Sequence, residues 1–527
     1  MVYCGKPSRG CENCRYQYTY HLLTTTQCDQ RRPSCSRCVR MRRTCVGYRD
    51  QSTLMFRDET ARTQIKARRG HVGRDTNFPQ HLIPPPSSLL SLQSQDIAVC
   101  YFYTTTLSNL SEKDPARQLQ MYLPSLYAKS RMGSALRLAT ESISHVLLPN
   151  LVPDSKIIAS KRYDAALIAI QRAIQDPIQA KTDETLYAVL LLCGYETITR
   201  ETTLRSAWDT HVSGGAALVQ YRGSNMLQSQ LAQGLFCFVR KSIVLSQMQA
   251  CSPVDEVFTK PGSFQDPENQ LFAIASRIPT LQSHGLVFLN RPEGADNSHA
   301  EKLARSVEAV DEELSHWADN LPNSWSYTQA TKIKTGPSAQ DFCPKHIHRY
   351  PDFYVARVWN FYRVSRLILL SLLCRATALS RTGHNEDQHM ATGNAERESK
   401  IQNIVDEICA SVPFLLGHDL SRMTVPTGVG KGQQRGQEWY GPPEWYGASA
   451  NWGDGNQAKQ FPTGSFSLIW PLYVASSAVT IPENQRQWIS WQLQSIAASG
   501  DSQARLALNT PSRTLLGGPE SLRFDCV

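Results

Sequence analysis

Six cysteines near the amino end set the tightest constraint on what this chain can fold into. They run Cys11-x2-Cys14-x13-Cys28-x6-Cys35-x2-Cys38-x6-Cys45. Two C-x2-C pairs, each followed by a third cysteine, present soft thiolates from tight turns, which suits tetrahedral zinc with bonds of about 2.3 Å. Six thiolates cannot fill two separate four-coordinate sites, so two of them must bridge. Residues 1–50 hold too few apolar side chains for a core of their own, and coordination would supply the folding energy. Chance spacing in a redox-active or disulfide-bonded segment is the competing reading; both pairs and the surrounding arginines count against it. Cys4 lies outside the pattern and is expected to be unligated.

Charge is as uneven as the cysteines. Residues 1–74 carry sixteen Lys or Arg against five acids, a balance of +11, so the remainder is about −2 of a total of +9. A basic head on a near-neutral body points to a polyanion partner for the head alone. The opening MVYCGKPSRGCENC lacks the apolar run of a secretory signal, and the most apolar later stretch, LILLSLLC at 367–374, is bounded by Arg366 and Arg375. The expectation is an intracellular protein with no membrane span. The cysteines beyond residue 45 stand singly, mostly among apolar neighbours, as core residues or idle thiols do.

CENC, CDQRRPSCSRC, RTC and the following GYRDQSTLMFRDET resemble the fungal binuclear zinc cluster (Zn2Cys6) transcription factors. The resemblance implies two Zn(2+) ions per chain. Cys11 and Cys35 would bridge, Cys14 and Cys28 would complete one site, and Cys38 and Cys45 the other. Pro33 matches the proline of the loop that joins the two halves. The implied partner is double-stranded DNA, at CGG-like triplets, and the implied location is the nucleus.

The segment RYQYTYHLLTTTQ, residues 15–27, departs from that family, which has six residues there, usually with several Lys or Arg on a short helix in the major groove. Such cations donate to guanine and neutralise phosphate. Here Arg15 is the only cation among thirteen residues, and Tyr16, Tyr18, Tyr20 and Thr24–Thr26 give a β-leaning composition. Three accounts stay open: translated intron in place of a basic exon end, a real insertion that still folds around zinc, or lost specific DNA binding. In the second, Arg31, Arg32, Arg37, Arg40, Arg42 and Arg43 would supply phosphate contacts. His21 falls where the family's third ligand would stand, but Cys28 keeps the spacing to Cys35 and is the expected ligand. As written, the head is expected to bind DNA weakly and with poor selectivity.

A basic and then Pro/Ser-rich linker is expected over residues 51–95, ending in HLIPPPSSLLSLQSQ. No a/d heptad lasts three repeats there, so a homodimer has no coiled-coil support. From residue 96 to about 520 the pattern is that of an all-α regulatory domain. DETLYAVLLLCGYETIT (183–199) and VARVWNFYRVSRLILLSLLCRATALS (355–380) read as buried helices. WDTHVSGGAALVQYRG resembles a segment common in the family's helical region, carried by Trp208, His211, Gly214, Leu218, Arg222 and Gly223. VWNFYRVSRLILL and IWPLYVA (469–475) also echo the family. His211 is expected to be a hydrogen-bonded packing residue. A Gly/Trp-rich loop at about 417–465 interrupts the helices. Its TGVGKG is no phosphate loop, because Val425 stands where the first glycine belongs and Gly432 where Ser or Thr would hold magnesium.

No G-x-S-x-G, H-E-x-x-H or dinucleotide fingerprint supports an enzyme. The leading expectation is a zinc-dependent, DNA-binding regulator of RNA polymerase II transcription, its body governed by coregulators or a small-molecule effector. The alternative is a helical interaction protein whose DNA-binding head is impaired by the insert at 15–27.

Overall fold

The computed structural model describes residues 11, 28–47, 86–148, 154–199, 207–223, 227–260, 266–289, 298–330, 332–333, 342, 344–379, 388–418, 420, 438–439, 464–498 and 501–510. The chain divides into two units, Met1–Pro84 and Pro85–Val527.

In the first unit a short helix, α1 (Ser36–Arg40), starts between Cys35 and Cys38, the two cysteines of the second pair. Its start is held twice: the Cys35 sulfur accepts from the Cys38 amide at 3.3 Å, and the Asp29 carboxylate accepts from the Ser36 amide at 3.1 Å. Both satisfy amides that a helix N-terminus leaves open. The turn is closed by Arg42 in the left-handed region (φ 49°), which lets the Arg43 amide reach back to the Cys38 carbonyl at 2.9 Å. The Arg32–Pro33 peptide bond is cis. Cys11, Cys35 and Cys38 form the buried centre, with Cys28 and Cys45 packed against it, and no aliphatic side chain joins them among the described residues.

The second unit is helical. Its first part comprises α2 (Pro86–Asn109), α3 (Pro115–Lys129), α4 (Ala135–Val146), α5 (Ser155–Gln175), α6 (Asp183–Thr199), α7 (Ala207–Arg222) and α8 (Gln230–Ala250). Starts are marked by side chains that accept from the first free amides, Asp114 ahead of Pro115 on α3 and Ser229 on α8. Gly223, at φ 63°, follows the end of α7. α4 lies against α2, α5 and α6 and is buried on almost every side. Even Glu141 on it is 2% exposed, held by Arg137 and Arg162 at 3.3 and 3.2 Å.

The second part runs through α9 (Glu256–Thr259), α10 (Pro267–Ala275), α11 (Ile278–Leu289), α12 (Ser298–Asp319), α13 (Phe353–Leu379), α14 (Gln388–Leu415), α15 (Ile469–Ser476), α16 (Glu483–Ala498) and α17 (Ser502–Asn509). α13 is the central rod, packed on α11, α12, α14 and α15. Its two arginines one turn apart serve different neighbours. Arg366 forms a paired hydrogen bond with Asp311 of α12 at 2.6 and 2.8 Å. Arg363, buried, donates to the Tyr350 hydroxyl at 2.7 Å, to Asn360 at 3.0 Å and to Glu407 of α14 at 3.1 Å. Buried charge is tolerated there because the terminal guanidinium nitrogens of both arginines find acceptors.

Two expectations need correction. The body is not free of strands: β1 (Thr328–Ala330) pairs antiparallel with β3 (Ile347–Arg349), in register Ala330 to Ile347, and β2 (Lys332–Ile333) pairs parallel with β4 (Glu438–Trp439). Helix also begins at Pro86, inside the stretch read as linker, because proline suits a first helical position, whose amide needs no partner. Residues 48–85 and most of the loop expected at 417–465 lie outside the described residues.

Candidate metal centre

The first unit brings five of the six expected cysteines to one place. The sulfurs of Cys11, Cys35, Cys38 and Cys45 all lie within 4.8 Å of one another. Cys11 Sγ is 3.6 Å from Cys35 Sγ and 3.7 Å from Cys38 Sγ. Four thiolates at about 2.3 Å from a tetrahedral ion are separated by roughly 3.8 Å, so this spacing fits one zinc among the four. None of the five is in a disulfide.

A second group shares a member with the first. Cys28 Sγ, an Asp29 carboxylate oxygen and Cys35 Sγ also lie within 4.8 Å of one another, and the Cys28 sulfur accepts from the Cys11 amide at 3.4 Å. Cys35 therefore belongs to both groups, and Cys11 touches both. Cys14, the expected sixth ligand, lies outside the described residues, as do Arg15, His21 and the rest of the insert.

The electrostatics of these thiols follow from their surroundings. Cys45 is pushed down to about 7 because the backbone amides of Cys35 and Gly47 point at its sulfur. Burial would raise Cys28, but the amides of Cys11 and Gln30 outweigh it and the thiol sits below its ordinary value. Cys38 is raised, chiefly by burial and then by its neighbour Cys35. Amides aimed at sulfur are what a thiolate cluster uses to hold its negative charge.

Of the arginines singled out from sequence, Arg31, Arg32, Arg40, Arg42 and Arg43 are exposed and Arg37 is half-buried. Val39, Met41 and Val46 are exposed beside them. In VRMRR, Val39 and Met41 alternate with cations, the one sequence signal that would have singled them out. Asp29, next to Cys28 in the chain, anchors the start of α1.

In the second unit the segment from Trp208 to Gly223 makes a packing element. Trp208 and Leu218 are buried, Arg222 is buried and pairs with Asp183, and the Tyr163 hydroxyl lies 3.0 Å from His211 Nε2. Burial alone pushes the imidazole down to about 4, so it is a neutral ring holding a hydrogen bond. Among the described residues no helix is long and apolar enough to cross a membrane.

Residues 101–249, from within α2 to the end of α8, match the family described as the fungal specific transcription factor domain. The protein named transcription factor dbaG of Emericella nidulans is 26% identical over 336 residues, which are 62% of this chain and 70% of that protein. No solved structure matches the chain. On these likenesses the chain is similar to the fungal transcription factors, with their specific domain matched over residues 101–249, and the likeness supports a transcription regulator.

Proposed function

We propose that the chain is a zinc-dependent, DNA-binding regulator of RNA polymerase II transcription in a fungal nucleus, and not an enzyme. The observation that carries this is the cluster of four sulfurs within 4.8 Å in a chain similar to fungal transcription factors. Two Zn(2+) ions would be held by Cys11, Cys14, Cys28, Cys35, Cys38 and Cys45. Cys35, common to both sulfur groups, and Cys11, which contacts both, suit the bridging positions. The ions would cross-link a segment that has no aliphatic core among its described residues and so shape a surface carrying Arg31, Arg32, Arg37, Arg40, Arg42 and Arg43, with Arg15 supplied by the insert. These cations would neutralise backbone phosphate and release counterions. The helical unit would pass signals from coregulators or a small-molecule effector to the transcription machinery.

A second reading is favoured by one observation, the single cation among residues 15–27. Phosphate contacts position a protein on DNA, whereas base contacts specify sequence. A head whose recognition segment lacks cations would keep the first and lose most of the second, leaving a helical interaction protein with an impaired head. Titration of the full chain against CGG-containing and scrambled duplexes at several salt concentrations separates the two. Weak binding with little preference for CGG is expected, with a salt slope of about −0.9 per phosphate contacted. Nanomolar, CGG-dependent binding would show that the insert leaves specific recognition intact. A zinc content near zero under reducing conditions would remove the metal assignment altogether.

A further inference from the structure

Helices α11 and α12 leave a cleft of about 350 Å3 between them, at the small end of the range of roughly 300–1,000 Å3 that ligand clefts span. Leu281, His284, Val287 and Phe288 follow one another along one face of α11, and His299, Lys302, Leu303 and Ser306 along one face of α12. The floor is apolar: Leu281 and Leu303 are buried, and Phe288 is half-buried beside them. At the rim, His284, His299 and Lys302 are exposed. α11 is pinned on α13 where Gly285 lets the two close; a Cβ there would run into the Leu372 side chain. The cleft is therefore built into the helical packing, and it lies outside residues 101–249.

Charge decides what such a cleft accepts. The Lys302 ammonium and the imidazoles of His284 and His299 can all donate, and no carboxylate is among the lining side chains. Ser306 spends its hydroxyl proton on the Lys302 carbonyl at 2.9 Å. The Lys302 ammonium makes no ion pair among the described residues. An apolar floor under a cationic rim favours a ligand with an apolar body and one negative end. The larger cleft between α10 and α12, about 760 Å3, has Glu312, Glu313 and His316 together on its wall, so charge selects no ligand class there.

We propose that the cleft between α11 and α12 binds a small amphipathic carboxylate. Its apolar body lies on Leu281, Phe288 and Leu303, and its carboxylate meets Lys302, with His284 and His299 as flanking donors. Calling this ligand an effector rests on the regulator reading above; the binding itself does not, since it uses neither metal nor DNA.

Isothermal titration calorimetry of the full chain with octanoate tests it. Saturable binding is expected, with a Kd on the order of 100 µM for a ligand of about ten non-hydrogen atoms. Octylamine, of the same length and opposite charge, binds at least roughly tenfold more weakly. Lys302→Glu lowers octanoate affinity at least roughly tenfold. Val287→Asp does the same by placing a carboxylate at the mouth of the cleft, where Val287 is 59% exposed. Lys161→Glu makes the same charge change as Lys302→Glu on α5, which lines no part of the cleft, and leaves the affinity unchanged. Circular dichroism of each variant checks that the helices are intact. Absence of saturable binding up to millimolar octanoate overturns the proposal. So does octylamine binding as tightly as octanoate, an affinity that ignores Lys302→Glu, or a loss that Lys161→Glu reproduces. None of these outcomes bears on the duplex titration that tests the regulator reading.

Discussion

His211 contributes to the fold as long as it is neutral. Its Nε2 meets the Tyr163 hydroxyl at 3.0 Å, and burial pushes its pKa down to about 4. The folded value lies below the unfolded value of about 6.5, so this contribution is complete above about pH 6.5 and is lost as pH falls toward 4, where the unfolded chain has taken up a proton that the folded chain resists. A gap of that size is worth about 3 kcal/mol at its limit. His348 and His418, pushed down to about 3 and about 4 by burial, act in the same sense. Asp266, raised to about 6 by burial, opposes them, since its contribution fades as pH rises through 6. His211→Gln keeps a polar partner for Tyr163 and removes the titration. Its urea midpoint should therefore fall less steeply between pH 6.5 and 4 than that of the parent protein; parallel curves would assign the acid sensitivity elsewhere. The packing role of His211 was legible from its spacing to Trp208 and Leu218. Its partner was not, because Tyr163 lies 48 residues away on another helix and nothing in local sequence couples them. The gathering of the cysteine sulfurs was legible for the opposite reason: the residues are close in sequence, at spacings that metal ligands use.

Helices long enough to bury several turns were readable to within a residue or two. α6 occupies the expected 183–199, and α13 begins two residues before the expected start. Their apolar runs exceed any strand, and acids or turn residues mark the ends. The start of α2 was missed because PPPSS has the composition of a linker, and the two ladders because strands of two or three residues leave no alternation to see. Nor did sequence expose the close approach that returns the chain from the Gly/Trp-rich segment to the core. Gly464 sits where a Cβ would lie 2.5 Å from the Leu415 carbonyl at the end of α14 and 3.0 Å from the Phe353 ring at the start of α13. A backbone carbonyl cannot swing aside as a side chain can, so Gly464→Ala should push this segment off both helix ends. The expected cost is about 1–3 kcal/mol, the range for overpacking, read as a lowered midpoint of thermal unfolding. An unchanged midpoint would mean that the segment shifts freely and does not clamp α13 to α14.

The two units derive stability from different sources, and that difference can be measured in the intact chain. In the second unit a continuous apolar core runs from Phe102 to Ala507, drawing on most of its helices; burial of that surface needs no metal. In the first, the buried set among the described residues is Cys11, Cys35 and Cys38, and the side chains packed on them are again cysteines. Thiols held 3.6–3.7 Å apart offer little hydrophobic stabilisation, and if they ionise without a cation they repel. Under the zinc reading, metal binding and folding of residues 11–47 are one equilibrium, worth on the order of 10 kcal/mol for structural zinc at neutral pH. Removing metal with a strong chelator under reducing conditions should therefore abolish the folded state of that segment, seen as rapid amide exchange at Cys38 and Arg43, whose backbone hydrogen bonds define the α1 turn. Helical ellipticity, which among the described residues comes almost wholly from the second unit, should stay within a few per cent, and its thermal midpoint should not move. Restoring zinc should slow exchange at both amides again. Protection that survives the chelator would mean that the cysteines hold their arrangement by packing alone, and the assignment of a metal cluster would fall with it.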